Sequence, residues 1–160
     1  MPANSLFSIK QFAEEDLPLL THLINETIEQ AYASIYPPKA VKFFLDYHAR
    51  VNILRDAAAG IIVVGWLGKM PVATGTLIGN YVSRVFVGNG HRHQGYGKMI
   101  AYEIEKQALA RKKYNLELDA SLTSSRFWKE LGWRITAEEV EMVEDEPLKY
   151  YKMVKELVKP

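Results

Sequence analysis

The sequence predicts a mixed α/β fold in which about seven strands form one mainly antiparallel sheet with a central parallel pair, packed with about four helices. Three observations predict it. Apolar residues recur at helical spacing ahead of residue 61 and again after residue 98. Between them lie three β-branched runs separated by short Gly-bearing turns, the pattern of consecutive antiparallel strands. A strand, a glycine loop, a helix and a further strand then follow in order, and such a crossover is right-handed and leaves its two strands parallel.

The chain opens on alternation around Leu6–Lys10, followed by the acidic run Ala13-Glu14-Glu15-Asp16, which suits a helix start because the dipole there is positive. Leu20, Leu23, Ile24, Ile28 and Ala31 give that helix one buried face. Pro37-Pro38 stops it, and Val41, Phe44, Leu45 and His48 resume a helical pattern over Ala40–Val51. Asp56–Gly60 reads as a connector of small residues. Ile61–Leu67 is a buried strand, Gly68-Lys69-Met70-Pro71 a turn, Val72–Ile78 a second strand, and Gly79-Asn80 a hairpin turn into Tyr81–Val87. Met99, Ile100, Ile104, Ala108 and Leu109 mark the helix after the glycine loop, ending at the cations Arg111-Lys112-Lys113. Asn115–Ala120 alternates as a strand. Ser121 is placed to cap a short helix bearing Phe127, Trp128 and Leu131, with Gly132 to end it. Strands near Trp133–Val143 and Lys149–Val158 complete the sheet.

The 160 residues, 48% hydrophobic and 24% charged, suit a single globular domain over 1–160, with no repeat or linker to divide it. A net charge of +1 supplies no field to gather nucleic acid or an acidic membrane. Neither partner is expected. The absence of cysteine removes disulfides, thiolate metal sites and thiol nucleophiles, and agrees with a reducing compartment. Met1–Lys10 lacks the basic start and apolar run of a secretory leader, and no apolar run approaches the ~20 residues of a membrane span. A cytoplasmic protein is expected.

The segment Gly88–Lys98 carries the clearest chemistry. Phosphates need converging donors, which a helix start supplies as free amides and a positive dipole end. Gly88, Gly90, Gly95 and Gly97 let the backbone approach a ligand closely, and Arg92, His93 and Lys98 add polar or cationic side chains. A dinucleotide fingerprint fails because Ile100 stands at the third glycine position and the strands before the loop are antiparallel. A nucleotide P-loop fails because Gly97-Lys98 is followed by Met99. His91 and His93 lack a third ligand nearby in sequence, so no metal is expected.

The element order, Arg92-His93-Gln94-Gly95-Tyr96-Gly97 and Phe127-Trp128-Lys129-Glu130-Leu131-Gly132-Trp133 together resemble the GNAT superfamily of acyl-CoA N-acyltransferases. The family's loop pattern is Arg or Gln, two residues, Gly, one residue, then Gly or Ala, which Arg92, Gly95 and Gly97 satisfy. Asp16 before the first helix, Ala120-Ser121, and Tyr151-Lys152-Met153 in the last strand add to a likeness that covers most of the chain.

The resemblance implies acetyl-CoA as acyl donor. Arg92, His93, Gln94, Gly95, Tyr96, Gly97 and Lys98 would hold its pyrophosphate. Pantetheine would lie along Val85-Phe86-Val87, with Ser121, Ser124 and Phe127 flanking the arm. It also implies amide formation on an amine acceptor by direct attack, for which no protein nucleophile is needed. Many relatives place a tyrosine acid immediately after the residue corresponding to Phe127, where this chain has Trp128, whose indole cannot release a proton at useful pH. The glutamate base that some relatives place early in the preceding strand is also missing, Tyr81 and Ser83 standing there. Replacement catalytic candidates are Tyr81, Ser83, Glu117, Asp119 and Tyr36, with Tyr32, Tyr150 and Tyr151 bordering the acceptor side. Two functions are therefore weighed: an N-acetyltransferase, and a catalytically silent acyl-CoA-binding module. The acceptor's identity and a homodimer are both left open by the sequence.

Overall fold

A computed structural model describes residues 6–160; the first five residues of the stretch read for a leader lie outside it. The seven strands are β1 (Phe7–Gln11), β2 (Ile61–Leu67), β3 (Met70–Ile78), β4 (Tyr81–Val87), β5 (Asn115–Ala120), β6 (Arg134–Val143) and β7 (Glu146–Glu156). They form one sheet in the order β1-β2-β3-β4-β5-β7-β6, in which only β4 and β5 run parallel. The helices are α1 (Leu17–Tyr32), α2 (Pro38–Tyr47), α3 (Arg50–Ala59), α4 (Tyr96–Ala110) and α5 (Ser125–Glu130), with a 3-10 turn at Glu14–Asp16.

The sheet is covered on both faces, which explains why β2 and β3 are nearly continuous apolar runs instead of alternating ones. On one face Ile61, Val63, Val72 and Leu77 pack with Ile100, Ile104 and Ala108 of α4. On the other, Ile62, Val64 and Phe86 pack with Leu20, Ile24 and Ile28 of α1 and Ile53 of α3. A smaller cluster of Tyr36, Ala40 and Leu148 docks α2 on β7.

Four local readings need correction. The helix expected over Ala40–Val51 is two helices, because Ala49 is extended (φ −64°, ψ 158°) and breaks the chain between Tyr47 and Arg50. Asp56–Gly60 is not a connector: Asp56-Ala57-Ala58-Ala59 is the last turn of α3, as three strong helix formers favour, and Gly60 ends it with its amide on the Asp56 carbonyl at 2.9 Å. β3 begins at Met70, so the turn before it is only Gly68-Lys69. Ser124, not Ser121, occupies the N-cap of α5; Ser121 Oγ accepts the Ser124 amide at 3.3 Å from outside the helix.

The helix α4 lies so close to β3 that a Cβ at Gly75 would stand 2.7 Å from Ile100 Cγ2 and 3.3 Å from Ile104 Cγ1. Both contacts are branched core side chains with little room to move. Gly75→Ala is expected to destabilise the fold by about 1–3 kcal/mol, the usual range for overpacking, measured by urea unfolding.

Candidate active site

At the end of β4 the Gly88 amide still bonds the Val72 carbonyl at 2.8 Å, and the His91 amide turns back to the Gly88 carbonyl at 3.0 Å. From there the backbone leaves the sheet. Among the described residues, the amides of Arg92 through Lys98 have no acceptor within the protein, and the next one, Met99, bonds the Gly95 carbonyl at 3.1 Å. These free donors crown a 15-residue helix whose N-terminal end carries about half a positive charge. Two glycines are required for different reasons. Gly95 is left-handed (φ 87°) at the N-cap, whereas Gly97 has normal helical backbone but would push a Cβ to 3.3 Å from both Val87 and Phe127. Arg92, His93, Gln94 and Lys98 are exposed around the loop. Tyr96 contributes its amide only, since its ring is buried and stacks on Phe7 at 4.4 Å.

The parallel pair holds at a single position, Tyr81 opposite Glu117, supported by the Glu117 amide on the Asn80 carbonyl at 3.0 Å. Beyond it β4 and β5 diverge. A bulge shapes the open edge. Thr76 pairs with Ser83 and Thr74 with Phe86, so Gly75 faces two residues, and Arg84 takes a left-handed φ of 54°. The bulge also breaks the alternation: Val82 packs on the α4 side and Phe86 on the α1 side, although both are even-numbered.

The Arg84 side chain, 1% exposed, runs to α3 and donates from Nη2 to Asp56 at 2.7 Å and from Nε to His48 Nδ1 at 3.0 Å. Because His48 Nδ1 accepts, the imidazole carries its proton on Nε2. Burial first and the Arg84 charge second push its pKa down to about 3, so it is neutral and is no reservoir for a substrate proton. In the sequence His48 reads as part of a helix face, and neither Arg84 nor Asp56 stands out as a site residue. The available signal was an arginine inside the apolar strand Tyr-Val-Ser-Arg-Val-Phe-Val, since a charge in such a run demands a buried partner.

Between the diverging strands and α1–α2 opens a cavity of about 840 Å³. Its loop end is lined by Val85, Phe86, Val87, Arg92, Ser121, Ser124 and Phe127, and Ser121 Oγ bonds Ser124 Oγ at 2.9 Å. Its other end brings Tyr81, Ser83 and Asp119 together with Phe43, Tyr47 and Tyr150. Tyr81 donates to Asp119 Oδ2 at 2.8 Å, and burial together with that carboxylate raises the phenol pKa. Tyr36 also lines the space, but its hydroxyl is engaged, accepting the Leu122 amide at 3.0 Å and donating to the Lys149 carbonyl at 3.4 Å. It ties α1 to β7. Tyr32 borders both Ser121 and Arg92, and burial pushes its pKa up to about 12. Glu117 and Tyr151 do not reach the cavity: Glu117 is exposed where the strands still pair, and Tyr151 packs toward the α4-side core. Trp128, 5% exposed, borders the cavity and stands edge-on to Trp133 at 5.4 Å. Among the described residues, no three His, Asp or Glu side chains gather as metal ligands, and no helix is long and apolar enough to cross a membrane.

Residues 23–157 match the model of the acetyltransferase (GNAT) domain. The chain belongs to the GNAT acetyltransferase family. That family uses acetyl-CoA as cosubstrate. Solved structures of GNAT proteins share this fold at low identity. A GCN5-related N-acetyltransferase from Rhodopseudomonas palustris is 20% identical with a TM-score of 0.86, covering 94% of this chain and 95% of its own. The PaiA N-acetyltransferase of Thermoplasma acidophilum, solved in complex with coenzyme A, is 16% identical with a TM-score of 0.74 over 94% and 98% of the two chains. The yncA protein of Salmonella typhimurium, a putative acetyltransferase solved with acetyl-CoA, is 15% identical with a TM-score of 0.70 over 97% and 96%. No curated protein sequence matches significantly.

Removing Asp56 from this GNAT chain leaves the buried Arg84 charge unmet. Asp56→Ala should cost on the order of 3–5 kcal/mol in denaturant unfolding, and a loss below 1 kcal/mol would show that the pair does not brace the bulge. His48 binds protons more readily unfolded than folded, so its contribution to stability is complete above pH 6.5 and is lost as pH falls from there toward about 3. Thermal melts between pH 7 and 4 should therefore fall more steeply for the native protein than for His48→Asn, which keeps an acceptor for Arg84 without the titration.

Proposed function

We propose that the chain is an acetyl-CoA-dependent N-acetyltransferase that acetylates a primary amine by direct attack. The observation that carries this reading is the set of unpaired amides from Arg92 to Lys98 at the head of α4, opening onto a sheet edge left free by the divergence of β4 and β5. Those amides, with the Arg92 and Lys98 side chains, would hold the pyrophosphate. The free edge of β4 would pair with pantetheine as an added strand does, and Ser121, Ser124 and Phe127 would border the arm. Acetyl-CoA supplies a thioester carbonyl open to a neutral amine.

The protein's share of the chemistry is placement. The bulge fixed by Arg84 sets the main chain of Val85 and Val87, which would orient and polarise that carbonyl. Asp119, held by Tyr81, is the carboxylate among the replacement candidates that lines the cavity, which suits it to receive the proton an ammonium must lose before attack. Tyr36 has both its proton and a lone pair occupied, so it serves the frame.

A second reading, a CoA-binding module without turnover, is favoured by Trp128, whose indole stands where relatives carry a proton donor and is largely packed away. Calorimetric titration with acetyl-CoA is expected to show binding. Arg92→Ala should weaken it about tenfold, as loss of a solvent-facing phosphate contact of ~1.4 kcal/mol would. Release of free CoA thiol in the presence of a panel of amines then separates the two readings, since robust transfer to any acceptor removes the silent module.

A further inference from the structure

Three carboxylates line the cavity. Glu130, on α5 beside the loop end that holds Arg92 and Lys98, is paired with Arg126 at 3.3 Å, whereas Asp119 and Glu141 stand at the far end. Two cations approach that far end, and both are already matched. Arg84 is paired with Asp56 at 2.7 Å through Nη2, its Nη1 being enclosed without a hydrogen-bond partner, and Lys152, half-exposed, sits 3.7 Å from Asp119. His48 is neutral there. The wall between the carboxylates is aromatic, with Phe43 stacked on Tyr47 at 6.0 Å and the rings of Phe44, Tyr81 and Tyr150 beside them. Tyr81 is neutral, and its hydroxyl proton is committed to Asp119, so its ring and the carboxylate face the cavity as one unit.

We propose that the acceptor is a primary amine carried as an ammonium on an apolar body of about the size of an aromatic ring, without a carboxylate of its own. This rests on the N-acetyltransferase reading and names its substrate class. Asp119, seconded by Glu141, attracts the ammonium, and ring faces favour both a cation and an apolar body. An acceptor carboxylate would enter a space whose carboxylates are only partly offset, where Arg84 and Lys152 are each already paired with a carboxylate. The balance of the step is simple. The ammonium gives one proton through Asp119 to water, the nitrogen bonds the acetyl carbon as the carbon–sulfur bond breaks, and a second nitrogen-bound proton ends on the CoA thiol.

The test uses the full chain with acetyl-CoA and compares phenethylamine, phenylalanine and ethylamine by thiol release, with calorimetry of each amine on the CoA-loaded protein. Phenethylamine is expected to exceed phenylalanine by about 100-fold in kcat/KM, the scale set by one unsatisfied buried polar group. Asp119→Asn should raise the KM for phenethylamine about tenfold while leaving the KM for acetyl-CoA and the melting temperature unchanged. Glu141→Gln should act in the same direction more weakly. Phenylalanine or ethylamine equal to phenethylamine, or an Asp119→Asn enzyme with an unchanged amine KM, overturns the inference. Binding of phenethylamine that depends on Asp119 without any thiol release supports the site and overturns the transferase reading instead. Absence of acetyl-CoA binding overturns the transferase reading alone.

Discussion

Arg84 occupies a position where a covered strand ordinarily carries a valine or an isoleucine, and its guanidinium is as fully enclosed as they would be. A charge so placed survives only with a partner, and Asp56 is brought to it by the final turn of α3. The consequence reaches beyond the pair. Arg84 is also the left-handed residue of the β4 bulge, so the bond that satisfies its charge holds a backbone geometry that a residue with a Cβ rarely adopts. Through His48 it further binds the joint between α2 and α3 to the same strand. The wall bearing Phe43, Phe44 and Tyr47 and the strand edge along which a cofactor would lie are thus fixed relative to each other by one side chain.

The divergence of β4 from β5 follows from what lies on either side of it. Tyr81 and Glu117 pair because Asn80 closes the crossover, its amide side chain on the Asn115 carbonyl and its own carbonyl on the Glu117 amide. Further along, β5 turns to β7, with which it pairs over its whole length, while β4 stays with β3. The insertion of β7 between β5 and β6 therefore gives β5 a full partner and lets its other edge open. An open edge inside a sheet leaves polar backbone groups that want partners, and this is a property a ligand can use.

Legibility in the sequence follows the range of the forces involved. Strands β2–β5, helices α1 and α4 and the glycine loop between β4 and α4 are readable because period, turn chemistry and glycine placement are local signals. The extent of α3 is not, since Asp56 reads as a polar connector until Arg84, 28 residues later, gives its carboxylate a buried use. The bulge was invisible for a similar reason: Tyr81, Ser83, Val85 and Val87 read as one face, and only tertiary packing of Phe86 against α1 shows the face change. Glu117 and Asp119 likewise share a strand face. The sheet distinguishes them, because pairing ends at Glu117 and the cavity begins at Asp119.

The tryptophan at position 128 poses the question of what a GNAT chain loses without a tyrosine there, and magnitudes bear on the answer. General acid or base assistance is worth about 10²–10⁴ in rate, or roughly 3–5 kcal/mol. Fixing two reactants in a productive geometry is worth about 7–11 kcal/mol, and each well-placed carbonyl donor about 3–4 kcal/mol. Placement and carbonyl polarisation depend on the bulge, the free strand edge and the loop amides, all of which this chain has. Thiols are weak enough bases, with a side-chain thiol near pKa 8.5, that a departing thiolate needs little help at neutral pH, whereas an ammonium cannot attack until it has lost a proton. Under the proposed reading the more demanding proton is therefore the amine's. The Tyr81–Asp119 pair lines the end of the cavity where that proton would be released, while Trp128 and Trp133 pack edge to face as part of the core that seats α5 against the sheet.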